Sequence, residues 1–417
     1  MRKYLLLIFI IPLFYSCKKE SKTPEIEPQI IPIIDSGLSE EELYDKILGM
    51  LVGSAIGDAM GAPTEMWSRE AINSEYGFVE KLDSMIRQPS PEGTWLVDLP
   101  AGGTTDDTRW KALTVNYLLG QELYDLSASD FAKHILQQYE GYQSELNSTE
   151  ETDSLSREKI DLKLNWLIEW AKVSQAYISK DVDAYADSLS RFYGGEMVCG
   201  GLLYAPTLGA VYPANPEIAY SESYKLSFFD IGYARDLTAL TAAMTSAGMK
   251  KGATKNDLLA ALTIDPKGYF KSRLVGRTAQ KLLLDATEIY QKSYELDSSE
   301  FRLTAESEGL KFAFAALDEK NQDMPFHAGE IYFQVLTAMM YADFDFQGTM
   351  VFLVNYGRDN DTTAAVAGGI LGAFVGFDQL PQESRELVLS VSKNLLNIDL
   401  EALAKELTNK VSQNKKP

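Results

Sequence analysis

The chain has 417 residues and a formal charge of −21, from 60 Asp and Glu against 39 Lys and Arg. That balance excludes a broad surface for nucleic acid or an anionic membrane face. A hydrophobic fraction of 45% supports a large buried core, and two cysteines leave no material for a disulfide framework.

At the N-terminus, Arg2 and Lys3 precede an apolar run from Tyr4 to Tyr15 that ends at Ser16-Cys17. About a dozen apolar residues is too short to span a bilayer and suits a signal-peptide core. The ending Phe14-Tyr15-Ser16-Cys17 resembles a bacterial lipobox. That resemblance implies a lipoprotein signal peptide over residues 1–16 and lipidation of Cys17. The chain is then expected to be exported and held on a bacterial membrane, on the periplasmic or cell-surface side, through its N-terminal lipid only. Residues 17–38, rich in Lys, Glu and Pro, read as the lipidated cysteine and a flexible tether. A single domain is expected over 39–417.

Helical pattern begins at Ser39, with Glu42 at capping-box spacing and apolar Leu43, Ile47, Leu48, Leu51 and Val52 following. Gly49, Gly53, Gly57 and Gly61 recur every four residues along it, a stripe that lets another helix approach closely. Asp58 lies near its end and reads as a structural hydrogen-bonding residue; Glu65 follows Gly61-Ala62-Pro63-Thr64. Residues 76–100 read as loop with a little extended structure. Thr105-Asp106-Asp107-Thr108 then opens a helix with two adjacent carboxylates, whose mutual repulsion a cation would relieve.

The middle of the chain reads as amphipathic helix, with a solvated loop over 147–158 and an aromatic core face at Leu162, Trp166, Leu167 and Trp170. A Gly-rich stretch runs from Tyr193 to Gly201. Its glycines suit either the approach of a phosphate or sugar or a tight structural crossing. Helical pattern resumes from Glu217, and His327 sits in a connection before another helix over 330–343. Near the C-terminus, Gly357-Arg358-Asp359-Asn360-Asp361-Thr362-Thr363 leads into a small-residue run with Gly368, Gly372 and Gly376 four apart. That run reads as a buried helix with acids gathered at its N-terminal end. The helices after Pro381 read as peripheral. The class is all-α, a single compact multi-helix domain.

Every ligand-capable atom at these helix ends is an oxygen, which selects Mg²⁺, Mn²⁺ or Ca²⁺ over softer metals. His134, His327 and Cys199 are scattered without zinc spacing. Four aspartates exceed the charge of one divalent ion, so a two-metal site is the natural accounting.

The segments 57–65, Thr105-Asp106-Asp107-Thr108 and 357–363 together resemble the ADP-ribosylglycohydrolase family. The resemblance covers about Ile47 to Phe377. It implies an all-α hydrolase with a binuclear Mg²⁺ (or Mn²⁺) centre. The metal ligands would be Thr105, Asp106, Asp107, Asp359, Asp361 and Thr362. Glu65, Asp106 or Asp107 would supply acid–base catalysis, with Glu65 favoured. The substrate would be an ADP-ribosylated protein or a small ADP-ribose conjugate, cleaved at C1″. Gly200, Gly201 and Tyr204 would contact it, although the family's Gly-Asn-Gly loop followed by Met-Arg is here Cys199-Gly200-Gly201-Leu202-Leu203-Tyr204, without the Asn or the Arg. Another N- or O-glycoside, or binding without turnover, are the competing readings.

Overall fold

The computed structural model describes residues 33–86, 98–297 and 303–413. The expected signal peptide and Cys17 lie outside them. Six helices come first: α1 (Glu40–Gly61), α2 (Arg69–Glu75), α3 (Asp106–Leu119), α4 (Ala128–Ser148), α5 (Ser154–Ile178) and α6 (Val182–Arg191). Then follow α7 (Ala205–Ala210), α8 (Pro216–Leu226), α9 (Ala234–Gly248), α10 (Lys255–Ala261), α11 (Thr278–Leu296) and α12 (Glu308–Asp318). The last five are α13 (Ala328–Tyr341), α14 (Phe346–Tyr356), α15 (Asn360–Val375), α16 (Gln382–Asn394) and α17 (Leu400–Gln413). No strand occurs among the described residues, so the all-α class holds.

The fold is built on α1 and α15, whose glycine stripes interlock. A Cβ on Gly53 would lie 2.5 Å from Gly368 O, and one on Gly57 would lie 2.0 Å from Ala364 O. In the other direction, a Cβ on Gly372 would lie 2.0 Å from Gly49 O. Backbone therefore meets backbone along most of both helices, and only glycine permits it. The capping box starts α1 as its sequence predicts: Glu42 N donates to Ser39 Oγ (3.1 Å) and Ser39 N to Glu42 Oε2 (2.7 Å). Partway along α1, the Lys46 ammonium donates to Gly248 O, Ala373 O and Phe374 O at 3.1, 3.1 and 2.8 Å. It thereby caps the C-terminal carbonyls of both α9 and α15, and burial lowers its pKa.

Three expectations change. The connection read as a loop over 147–158 is short, because α4 runs to Ser148 and Asp153 caps α5 by accepting from Ser156 N. Charged, exposed helix faces there mimic loop composition. The end of the expected tether is fastened to the domain: Ile34 N donates to Asn215 Oδ1 (2.6 Å) and Lys251 N to Ser36 O (2.9 Å). C-terminal α17 is not peripheral; it buries Leu400, Ala404, Leu407 and Val411 and packs on α1 and α3. The described part of 76–100 is loop, as expected, with a backbone bond from Met85 N to Leu99 O.

Candidate active site and metal centre

The acids converge because α1 and α15 run side by side and the segment after α1 folds back onto the start of α15. Met66 N donates to Arg358 O (2.6 Å) and Arg358 N to Trp67 O (3.3 Å). Both Met66 and Arg358 take left-handed φ values, 63° and 64°, a backbone state that is strained for non-glycine residues. Gly357 must be glycine here, since its φ is 85° and a Cβ would lie 2.7 Å from Trp67 O. The Arg358 guanidinium is anchored by Glu330 (2.7 and 2.9 Å) and Gln322 O (2.7 Å). This clasp sets Glu65 beside Asp359. One oxygen each from Glu65, Asp359 and Asp361 lie within 4.8 Å of one another, and all three residues are buried.

Helix α3 is brought in by Asp58 of α1. Its carboxylate accepts from Thr105 N (2.9 Å), Thr108 N (2.9 Å) and Thr108 Oγ1 (2.6 Å), so Asp58 has the structural role expected of it. Thr105 Oγ1 then donates to Asp361 Oδ2 (3.2 Å) and Thr362 Oγ1 to Asp107 Oδ2 (2.9 Å). The ends of α3 and α15 are thus joined directly. Asp359 stands at the N-cap of α15 without capping it, which leaves its carboxylate to the cleft.

Electrostatics here are unfavourable without a cation. Burial first, and then the charges of Asp107 and Asp106, push Asp361 up to about 7. Burial, with Asp361, Glu65 and Asp107 beside it, raises Asp359 well above the ordinary carboxylate range. Asp58 is pushed up to about 7 by burial, then by Asp107 and Asp361. The Oδ1 of Asp361 is buried with no hydrogen-bond partner. Clustered oxygen donors, mutual repulsion and an orphaned carboxylate oxygen together fit a hard divalent cation. Glu65, Asp359 and Asp361 are the residues that would hold it.

A cleft opens over the acids, walled by Glu65, Asp106, Asp359, Asp361 and Thr362 and by Trp170, Tyr193, Val198, Cys199, Gly200 and Phe326. Thr105 and Asp107 are buried and do not form part of that wall. Among the expected substrate residues only Gly200 reaches it. The Gly201 N–H is taken by Asp230 Oδ1 (2.8 Å), and a Cβ there would collide with Asp230 and Thr238. Tyr204 is a core residue, fully buried, with its hydroxyl donating to Leu226 O (3.1 Å) and its ring near Trp110. An aromatic next to a Gly-rich loop was no guide to the direction it faces.

Sequence reasoning missed two contributors. Phe326 enters the cleft because the Gly-rich segment pairs with the His327 connection: Cys199 N donates to Phe326 O (2.9 Å) and Ala328 N to Met197 O (2.8 Å). Nothing in the sequence links those segments. Lys111 is buried to 1% exposure with its ammonium 3.0 Å from Asp107 Oδ1. Its signal was available, as a lysine four residues after an acid on the face shared by Thr108, Thr114, Val115 and Leu118.

The profile of the ADP-ribosylglycohydrolase family matches residues 39–417. A solved chain described as an ADP-ribosylglycohydrolase-related protein complex shares the fold. It has a TM-score of 0.54 and 21% identity, over 89% of this chain and 99% of that one. The uncharacterized protein YegU of Escherichia coli (strain K12) is 33% identical over 79 residues, 19% of this chain. That match spans only 22% of YegU's length.

Proposed function

The chain belongs to the ADP-ribosylglycohydrolase family, and we propose that it is a hydrolase of glycosidic bonds whose cleft acids hold a divalent cation, Mg²⁺ or Mn²⁺. The observation that carries this reading is the buried trio Glu65, Asp359 and Asp361 with the unmatched Asp361 Oδ1. A bound dication would supply Lewis-acid stabilisation of charge and orientation of the sugar hydroxyls. Thr105 fixes Asp361 by hydrogen bond, and Asp58 fixes Thr105. Glu65 offers one oxygen to the cation, and its other carboxylate oxygen is suited to accept a proton from an attacking water. Asp106, more open to the cleft, is the second carboxylate that acid–base cleavage at an anomeric carbon requires. Asp107 is a poor candidate for that work, since Lys111 and Thr362 engage both its oxygens. Trp170, Tyr193 and Phe326 supply apolar surface against which a ring could lie.

Family membership supports an ADP-ribosyl conjugate as substrate. A second reading, an uncharged N- or O-glycoside, is favoured by one feature. Among the described residues no Lys, Arg or His lines the cleft, and the Gly201 amide is already bonded. A diphosphate would find few donors there. The test is release of ADP-ribose from ADP-ribosyl-arginine or ADP-ribosyl-serine peptides with Mg²⁺, beside hydrolysis of nitrophenyl glycosides, in the wild type and in Asp359→Ala. Activity on the first set supports the family substrate, and activity on the second alone supports the other reading. Activity on either that survives Asp359→Ala, or on neither, refutes the proposal.

A further inference from the structure

Lys111 divides the acidic cluster into two parts. It lies one turn along α3 from Asp107, and both side chains are buried, at 1% and 2% exposure. Its ammonium donates to Asp107 Oδ1 at 3.0 Å while Thr362 Oγ1 donates to Asp107 Oδ2 at 2.9 Å. A buried ammonium is retained only beside an opposite charge, and Asp107 supplies it. Asp107 thus has its counter-charge within the chain. The other part is unlike it: Glu65, Asp359 and Asp361 have oxygens within 4.8 Å of one another, and Asp361 Oδ1 is buried without a partner.

We propose that this protein binds a single divalent cation, at Glu65, Asp359 and Asp361, and that the Lys111 ammonium stands in place of a second. The proposal rests on reading the trio as a metal site. Two dications bound side by side need shared carboxylates between them, at a separation of about 3.5–4 Å. A second ion using Asp107 would have to displace a fixed positive charge held by that same carboxylate. The built-in cation lowers the site's negative charge by one without the coordination demands of a metal, and it cannot be removed by chelation.

The experiment is titration of the purified, metal-stripped full chain with Mn²⁺, read by calorimetric stoichiometry and by electron paramagnetic resonance. Wild type is expected to bind one ion and give the signal of an isolated Mn²⁺. Lys111→Met keeps the apolar stem, removes the charge, and is expected to bind two ions with a spin-coupled signal. Two ions or spin coupling in the wild type overturn the role of Lys111 while leaving the metal reading intact. One ion in a folded Lys111→Met also overturns it. No ion in the wild type overturns the metal reading itself, and the proposal with it. Should Lys111→Met not fold, the wild-type count and line shape decide.

Discussion

Substituting Gly57 by alanine places a Cβ 2.0 Å from Ala364 O, where ordinary contact begins at 3.4 Å. The methyl therefore sits about 1.4 Å too close to an oxygen of helix backbone that no rotamer change can move. Overpacking of this kind costs about 1–3 kcal/mol. The upper end applies because a whole helix has to retreat. Against it stands a gain of about 1 kcal/mol from replacing glycine inside a helix, leaving a net loss of about 2 kcal/mol. Since Ala364 is one turn from Asn360 and Asp361, the retreat also draws Asp361 away from Glu65, and Mn²⁺ affinity should fall at least about tenfold, or 1.4 kcal/mol. Gly141→Ala in α4 is the control, because its Cβ would meet nothing within 4 Å. That variant should gain about 0.5–1 kcal/mol. Urea unfolding and Mn²⁺ titration of both variants measure the two effects. Equal stability of Gly57→Ala and the wild type, with unchanged metal affinity, refutes the interlocked-stripe account.

Asp236→Ala leaves the Arg277 guanidinium buried without the carboxylate it now meets at 2.8 and 2.7 Å, and should cost about 3–5 kcal/mol in urea unfolding. A loss below about 1 kcal/mol contradicts that. Asp230 is pushed up to about 6 by burial, against the hydrogen bonds from Thr238 and the Gly201 amide. The native state therefore holds its proton between the unfolded value of 3.8 and about 6, so its contribution is greatest near pH 4 and falls as pH rises through that window. Relative to the wild type, Asp230→Asn should gain about 2 kcal/mol between pH 4 and pH 7; a difference independent of pH speaks against it. Cys17→Ala should abolish incorporation of labelled palmitate during bacterial expression; label retained on that variant contradicts the expected lipidation.

The sequence carried the close-packed helices and the converging acids because both are local signals. Glycine every fourth residue on α1 and on α15 can only serve close approach, and the structure sets those two stripes against each other. Acids at the starts of α3 and α15 were legible for the same reason. What escaped is set by tertiary contacts alone. Tyr204 faces the core because Trp110 and Leu226 surround it, while Phe326 reaches the cleft through a backbone pairing between segments far apart in the chain. The Arg277–Asp236 pair, 41 residues apart, has no sequence signature. Helix ends at Ser148 and Ser154 were hidden by charged exposed faces that have the composition of loops.

A divalent cation held by Glu65, Asp359 and Asp361 at the floor of the cleft would be seen in anomalous diffraction from crystals grown with Mn²⁺. The expected result is a peak bonded to Asp359 and Asp361 oxygens at about 2 Å, lost in Asp361→Ala. Anomalous density confined to surface carboxylates, with none between Glu65 and Asp361, would contradict it.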